Sequence, residues 1–298
     1  MTASRYPGSK WKLSRRIVPY VSTDAKHYFE PFFGLGYVFK RLMLTKVRFA
    51  SITLSDLNRP LVNFHQAVQG DTTYGDIFER VANARQRFLP ESEHEPEIIA
   101  EWYRCRERLR YSDDPYDWMF VHCYALGQYC GRFRKNISSF DPGLLRSGIK
   151  VMSMQRLRQW QRMLQGAEIL CCDAIPLLQQ INERKDAASC ICYLDPTYIP
   201  PDGQEEGMKM YQVELSITQH LSLAQILRNA RFRFVLSIGD GPPARKLYVT
   251  DESFQTPFRR AKGFYAVRVL PTNSGRRKNQ NRNLAGTPEW LVMNYDPT

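Results

Sequence analysis

Four short pieces of this sequence combine residue types that could do chemistry. The most specific is Cys190-Ile-Cys-Tyr-Leu-Asp195-Pro-Thr-Tyr198, an apolar run that ends in Asp-Pro-x-Tyr. An acid at the end of a buried strand faces the ligand crevice of an α/β sheet. Its carboxylate can accept a hydrogen bond from an amino group, and the Pro196 carbonyl can accept a second. Tyr198 supplies a ring on which a base can stack. The plainer alternative is an Asp-Pro turn, which the five apolar residues before it disfavour.

Two further pieces lie upstream. In Phe29-Glu-Pro-Phe-Phe-Gly-Leu-Gly36 the glycines allow close backbone approach to a ligand, or simply turn the chain from strand to helix. In Ser55-Asp-Leu-Asn58, about 20 residues on, Asp56 could accept from two ribose hydroxyls or could cap a helix. The fourth piece, Arg5-Tyr-Pro-Gly-Ser-Lys10-Trp11, could cover a bound cofactor or form a basic terminus.

The elements that must position these residues alternate in type. A strand is expected over His27–Phe33, a helix over Tyr37–Met43, a strand over Val47–Leu54 and a helix from Leu61 to Val68. From about Thr72 to Leu164 the spacing is helical, and aromatics and arginines are dense from Trp102 to Tyr111. Strands return at Ala167–Cys172, Ser189–Leu194, Arg233–Ile238, Ala266–Leu270 and Trp290–Tyr295, with an amphipathic helix over Ser216–Asn229. This order predicts an α/β fold with a parallel sheet. Residues 1–69 and 166–298 would form a catalytic core interrupted by a helical insertion, 70–165.

The 298 residues hold 42 Lys+Arg against 30 Asp+Glu, a net charge of +12. Such a surplus suits a polyanionic partner. Met1–Leu13 is polar and basic, without the apolar core of a signal peptide, and no run is long enough to span a membrane. The seven cysteines read as reduced thiols, those of Cys190-x-Cys192 as buried strand residues rather than zinc ligands, so no metal is expected.

Taken in order, these pieces resemble the Dam-like (D12 class) DNA adenine N6-methyltransferases. That family carries an Arg-Tyr-Pro-Gly-Gly-Lys element, Glu-Pro-Phe-x-Gly-x-Gly, an Asp-x-Asn loop, a recognition domain and Asp-Pro-Pro-Tyr. This chain has Arg5-Tyr-Pro-Gly-Ser-Lys10, Glu30-Pro-Phe-Phe-Gly-Leu-Gly36, Asp56-Leu-Asn58 and Asp195-Pro-Thr-Tyr198, with Tyr211, a helix led by His220 and a closing Glu289-Trp-Leu-Val-Met-Asn-Tyr295.

The resemblance implies a SAM-dependent methyltransferase with a Rossmann-like mixed, mostly parallel sheet, acting on adenine N6 in double-stranded DNA. It implies that Tyr6, Lys10, Pro31, Phe32, Gly34, Gly36, Asp56, Asp173 and Asp195 meet S-adenosylmethionine (SAM), and that Asp195, Pro196 and Tyr198 hold the target base. Arg132, Arg134 and Lys135 in the insertion, and Arg276, Arg277 and Lys278 near the C-terminus, are plausible DNA contacts or else solvated surface. A monomer without an obligate protein partner or membrane is expected, in the cytoplasm of a bacterium or of a phage host. Thr197 stands where the family has proline, and Ser9 where it has glycine. The rival readings are a DNA-binding protein with a weakened methyltransferase fold, a SAM enzyme acting on cytosine N4 or RNA, and, more distantly, a NAD enzyme that would leave Asp-Pro-x-Tyr without a role.

Overall fold

The computed structural model describes residues 10–11, 13–91, 93–123, 153–199, 215–249, 259–261, 264–269 and 289–296. They fall into two compact units, one within 56–171 and the other within 10–55, 172–209 and 214–298. In chain order the strands are β1 (His27–Glu30), β2 (Ser51–Asp56), β3 (Glu168–Cys171), β4 (Cys190–Leu194), β5 (Arg233–Gly239), β6 (Arg259–Ala261), β7 (Phe264–Val269) and β8 (Glu289–Met293). The α-helices are α1 (Ser14–Ile17), α2 (Tyr37–Met43), α3 (Arg59–Gln69), α4 (Ile77–Phe88), α5 (Glu95–Arg108), α6 (Pro115–Cys123), α7 (Met154–Leu164), α8 (Ala174–Glu183), α9 (Ile217–Arg228) and α10 (Pro242–Tyr248).

The second unit is built on a sheet in the order β2-β1-β4-β5-β8-β7-β6. The first four strands pair in parallel. β8, β7 and β6 complete the sheet antiparallel to their neighbours. All five residues of β4 are buried, as are the middle five of β5, which is the continuous apolar pattern of a strand covered on both faces. Phe234 and Leu236 of β5 join Cys192 and Leu194 of β4 in a core shared with Leu178 of α8 and Leu223 of α9. The order reverses between β1 and β4, so their carboxyl ends open the crevice where α/β sheets bind ligands.

α9 begins with a complete capping box. The Ser216 hydroxyl accepts from the Gln219 N–H (3.2 Å), and the Gln219 side chain accepts from the Ser216 N–H (2.9 Å). Leu215, just before it, packs against the core.

The other unit is mainly helical. α3 buries Leu61, Val62, Phe64, His65, Ala67 and Val68. Its buried His65 accepts from the indole of Trp160 on α7 (3.1 Å), and the Trp102 indole of α5 donates to the Val121 carbonyl of α6 (3.0 Å). Arginines of this unit are largely used internally. Arg108 grips Asp117 with two bonds of 2.7 Å, Arg80 reaches Asp114 at 2.7 Å, and Arg104 reaches Glu101 at 2.7 Å.

Three features depart from the sequence expectation. β2 starts at Ser51, not Val47: Ser51 pairs with His27, the residue at which β1 begins. Pro242 and Pro243 open α10, a helix that the sequence expectation lacks, where proline at the first helical positions loses no hydrogen bond. β6 is a three-residue edge strand with too little pattern to read. No helix among the described residues is long and apolar enough to cross a membrane.

Replacing Ser216 by alanine should remove the cap of α9 and lower stability by about 1 kcal/mol, seen as a fall in the urea midpoint at unchanged slope. An unmoved midpoint would show that α9 is held by packing alone.

Candidate active site

The carboxyl ends of β1, β4 and β5 and the first residue of β8 converge on one polar cluster. β8 runs antiparallel to β5 and pairs Glu289 with Gly239, so an acid from near the end of the chain arrives at the edge where β4 delivers Asp195. The Lys10 ammonium lies 2.9 Å from Asp195 Oδ1 and 3.3 Å from Glu289 Oε1, and donates to the Tyr198 hydroxyl. Glu289 Oε2 accepts from the Ser237 hydroxyl of β5 at 2.7 Å. Lys10, Glu289 and Ser237 are all buried.

Burial works against the charge on Lys10, but the carboxylates of Asp195 and Glu289 outweigh it and hold the ammonium well above its usual range. Asp195 feels the opposite balance. Burial raises its carboxyl, Lys10 lowers it, Glu289 raises it again, and the outcome is a shift up to about 7. Glu30, at the end of β1, is also buried. Burial pushes its carboxyl well up, against a 2.6 Å hydrogen bond from the Tyr28 hydroxyl and with the aid of nearby Asp195. Tyr193, two residues before Asp195, is buried among the same groups, and its hydroxyl has no hydrogen-bond partner among the described residues.

Tyr198 is held at both ends. Its hydroxyl meets Lys10, while one side of its ring lies against Gly239, where an added Cβ would come within 2.9 Å of Cδ2. The residue stays 38% exposed, so part of the ring is open to stack on a flat ligand. Pro196 is buried beside it.

The turn from Pro31 to Gly36 links β1 to α2. Gly34 (φ +49°) and Gly36 (φ +63°) adopt the left-handed backbone that a side chain disfavours. The Phe33 N–H donates to the Ser55 carbonyl (2.9 Å), and the buried Ser55 hydroxyl has no partner among the described residues. A glycine turn beside an orphaned buried hydroxyl fits a polar ligand such as SAM. Asp173 caps α8, accepting from the Ile175 N–H at 2.8 Å. In the helical unit, Asp56 accepts from the Asn58 N–H at 2.9 Å.

Of the residues expected from sequence, the structure therefore brings together Lys10, Asp195, Pro196 and Tyr198. It builds the Pro31, Phe32, Gly34 and Gly36 turn as one piece. Tyr6, Arg132, Arg134, Lys135, Arg276, Arg277 and Lys278 lie outside the described residues, as does Tyr211. Sequence reasoning gave no role to Glu30, Tyr193, Ser237 or Glu289. The available signal was polarity out of place: an acid opening the apolar run Trp-Leu-Val-Met, and a serine inside Phe-Val-Leu-Ser-Ile.

The structure is similar to that of the rRNA methyltransferase aviRa from Streptomyces viridochromogenes, at 13% identity over 98% of this chain and 87% of that one. The TM-score is 0.38, a likeness too loose to argue from. No curated protein matches the sequence. The profile of the D12 class N6 adenine-specific DNA methyltransferases matches residues 6–262, most of the chain. The chain belongs to that family, whose members transfer a methyl group from SAM to adenine in DNA.

Proposed function

We propose that this chain methylates N6 of an adenine flipped out of double-stranded DNA at a specific sequence, with Asp195, Pro196 and Tyr198 holding the base. The observation that carries this reading is the site's asymmetry. Asp195 is tied down by Lys10 on one side, while Tyr198 stands beside it with part of its ring exposed and its hydroxyl anchored.

The amino lone pair of adenine is delocalised into the ring. Two acceptors on the amino hydrogens, the Asp195 carboxylate and the Pro196 carbonyl, favour a pyramidal nitrogen and localise that pair. SAM supplies an electrophilic methyl on a positively charged sulfur. The protein contributes position and electrostatics, and needs no covalent intermediate of its own. Lys10, which the family resemblance puts beside SAM, also serves as the counter-ion that favours the carboxylate form of Asp195. Tyr198 stacks on the flipped base. Pro31, Phe32, Gly34 and Gly36 cradle the cofactor, with Tyr6, Asp56 and Asp173 at its ribose and adenine.

Residues 70–165 then serve target recognition, between catalytic segments 1–69 and 166–298. The basic groups Arg132, Arg134 and Lys135, and Arg276, Arg277 and Lys278, contact DNA. The enzyme works as a monomer in the cytoplasm of a bacterium or phage host. The rival reading is a binding-only protein with a weakened methyltransferase fold, which would bind SAM and DNA without forming product.

Transfer of labelled methyl from SAM to unmethylated genomic DNA tests the reading directly, with label expected in N6-methyladenine. Asp195→Ala should abolish transfer while SAM still binds; equal turnover in the variant would end the mechanism. Because the carboxylate is a stronger acceptor for the amino group than the protonated acid, turnover should rise with pH through about 7. Glu289→Gln removes a charge that raises Asp195 and should move that midpoint down; a shift upward would contradict the electrostatics. Gly239→Ala should displace the Tyr198 ring and cost about tenfold in kcat/KM for DNA, with SAM affinity kept. Unchanged DNA kinetics would show that the ring's seat is not used.

A further inference from the structure

Thr197 lies between the acceptors and the ring of the proposed site, and the mechanism above gives its side chain nothing to do. Its hydroxyl oxygen accepts a hydrogen bond from the backbone N–H of Leu215 at 2.8 Å, across 18 residues of sequence. That partner is a fixed point. The Leu215 side chain packs on the core, and the next residue, Ser216, is the N-cap of α9. Further along the same helical turn, buried His220 has Nδ1 2.8 Å from the hydroxyl of Tyr248 on α10. Burial keeps this imidazole neutral, with its pKa down at about 4, so the contact persists unchanged across the neutral range.

The opposite end of the turn is anchored too. Asp195 is held by Lys10, and Ile199, after Tyr198, is buried in the core. In the middle, the Thr197 hydroxyl reaches the start of α9, and the His220 ring of the same helix interacts with the Thr197 backbone.

We propose that the Thr197 hydroxyl is a positioning group that pins the Asp195–Tyr198 turn to the start of α9. It thereby fixes the Pro196 carbonyl and the Tyr198 ring relative to Asp195. A proline at 197 would restrict Pro196 through backbone sterics but would offer the Leu215 N–H no acceptor. In this chain the hydroxyl supplies the constraint, and proline cannot replace it. The inference rests on the functional reading above, but the pin can be observed without turnover.

The test uses the full-length protein with Thr197→Val, Thr197→Ser and Thr197→Pro. Valine keeps the shape and removes the acceptor, whereas serine keeps the acceptor. Amide hydrogen exchange of Leu215 and Tyr198 reads the pin, and kcat and KM with SAM and DNA read its consequence. The valine and proline variants should lose about tenfold of Leu215 protection and about tenfold in kcat, with the KM for SAM little changed. Serine should restore most of both. Equal Leu215 protection in the valine variant would overturn the pin, and a proline variant as fast as the natural protein would overturn its role in positioning. If the natural protein transfers no methyl at all, the functional reading falls, and exchange at Leu215 and Tyr198 still decides whether the turn is pinned.

Discussion

The site depends on a single buried cation placed between two acids. Lys10 is shared by Asp195 and Glu289, and all three are largely removed from water. A lone carboxylate in that position would take up a proton rather than stay charged, and would then offer one acceptor fewer to an amino group. A lone ammonium would be equally unfavourable. Breaking a buried pair by deleting one partner generally costs about 3–5 kcal/mol, so the cluster constrains its own members strongly. Burial, opposed by Lys10 and aided by Glu289, brings the Asp195 carboxyl up to about 7. Lys10 does not simply hold a negative charge in place; it leaves the acid close to the point where it changes state near neutral pH.

The sheet makes this arrangement possible. Parallel β1, β4 and β5 bring their carboxyl ends to one edge, and the antiparallel β8 brings its amino end to the same edge. Glu289 can therefore join Asp195 and Lys10, both distant in sequence. The same register sets Gly239 opposite Glu289, so the residue that seats the Tyr198 ring and an acid that shares the lysine come as one strand pair. Ser237, two residues earlier on β5, bonds the far oxygen of Glu289 and stops that carboxylate from turning wholly toward the lysine.

Much of this was legible in the sequence, for a local reason. An apolar run of five residues ending in Asp-Pro-x-Tyr is a strand ending in acceptors, and β4 is buried throughout as that pattern requires. The glycine turn was legible in the same way, because two left-handed residues call for glycine. The partners of Asp195 were not. That Glu289 arrives beside Asp195 is a fact of strand order, and strand order is not written in any one segment. Pro242-Pro243 shows a smaller failure of the same kind: a proline pair can stop one element or start another, and only the chain that follows decides which. Thr197 is the reverse case: the family pattern has proline there, and in the fold the Thr197 hydroxyl accepts a hydrogen bond from Leu215 instead.

Charge density offers a last contrast between composition and placement. The stretch from Trp102 to Tyr111 holds four arginines among three aromatics, the pattern usually linked to a nucleic-acid surface. In the fold, Arg104 and Arg108 are committed to Glu101 and Asp117, Arg110 to Glu107, and Arg106 lies over the rings of Trp102 and Tyr103. Exposed ion pairs of this kind add little stability, but they cancel the local field that would attract phosphate. Only Arg108, with two bonds to the buried Asp117, is placed to matter for packing between α5 and α6. Arginine density alone is therefore a poor guide to where a basic protein meets a polyanion.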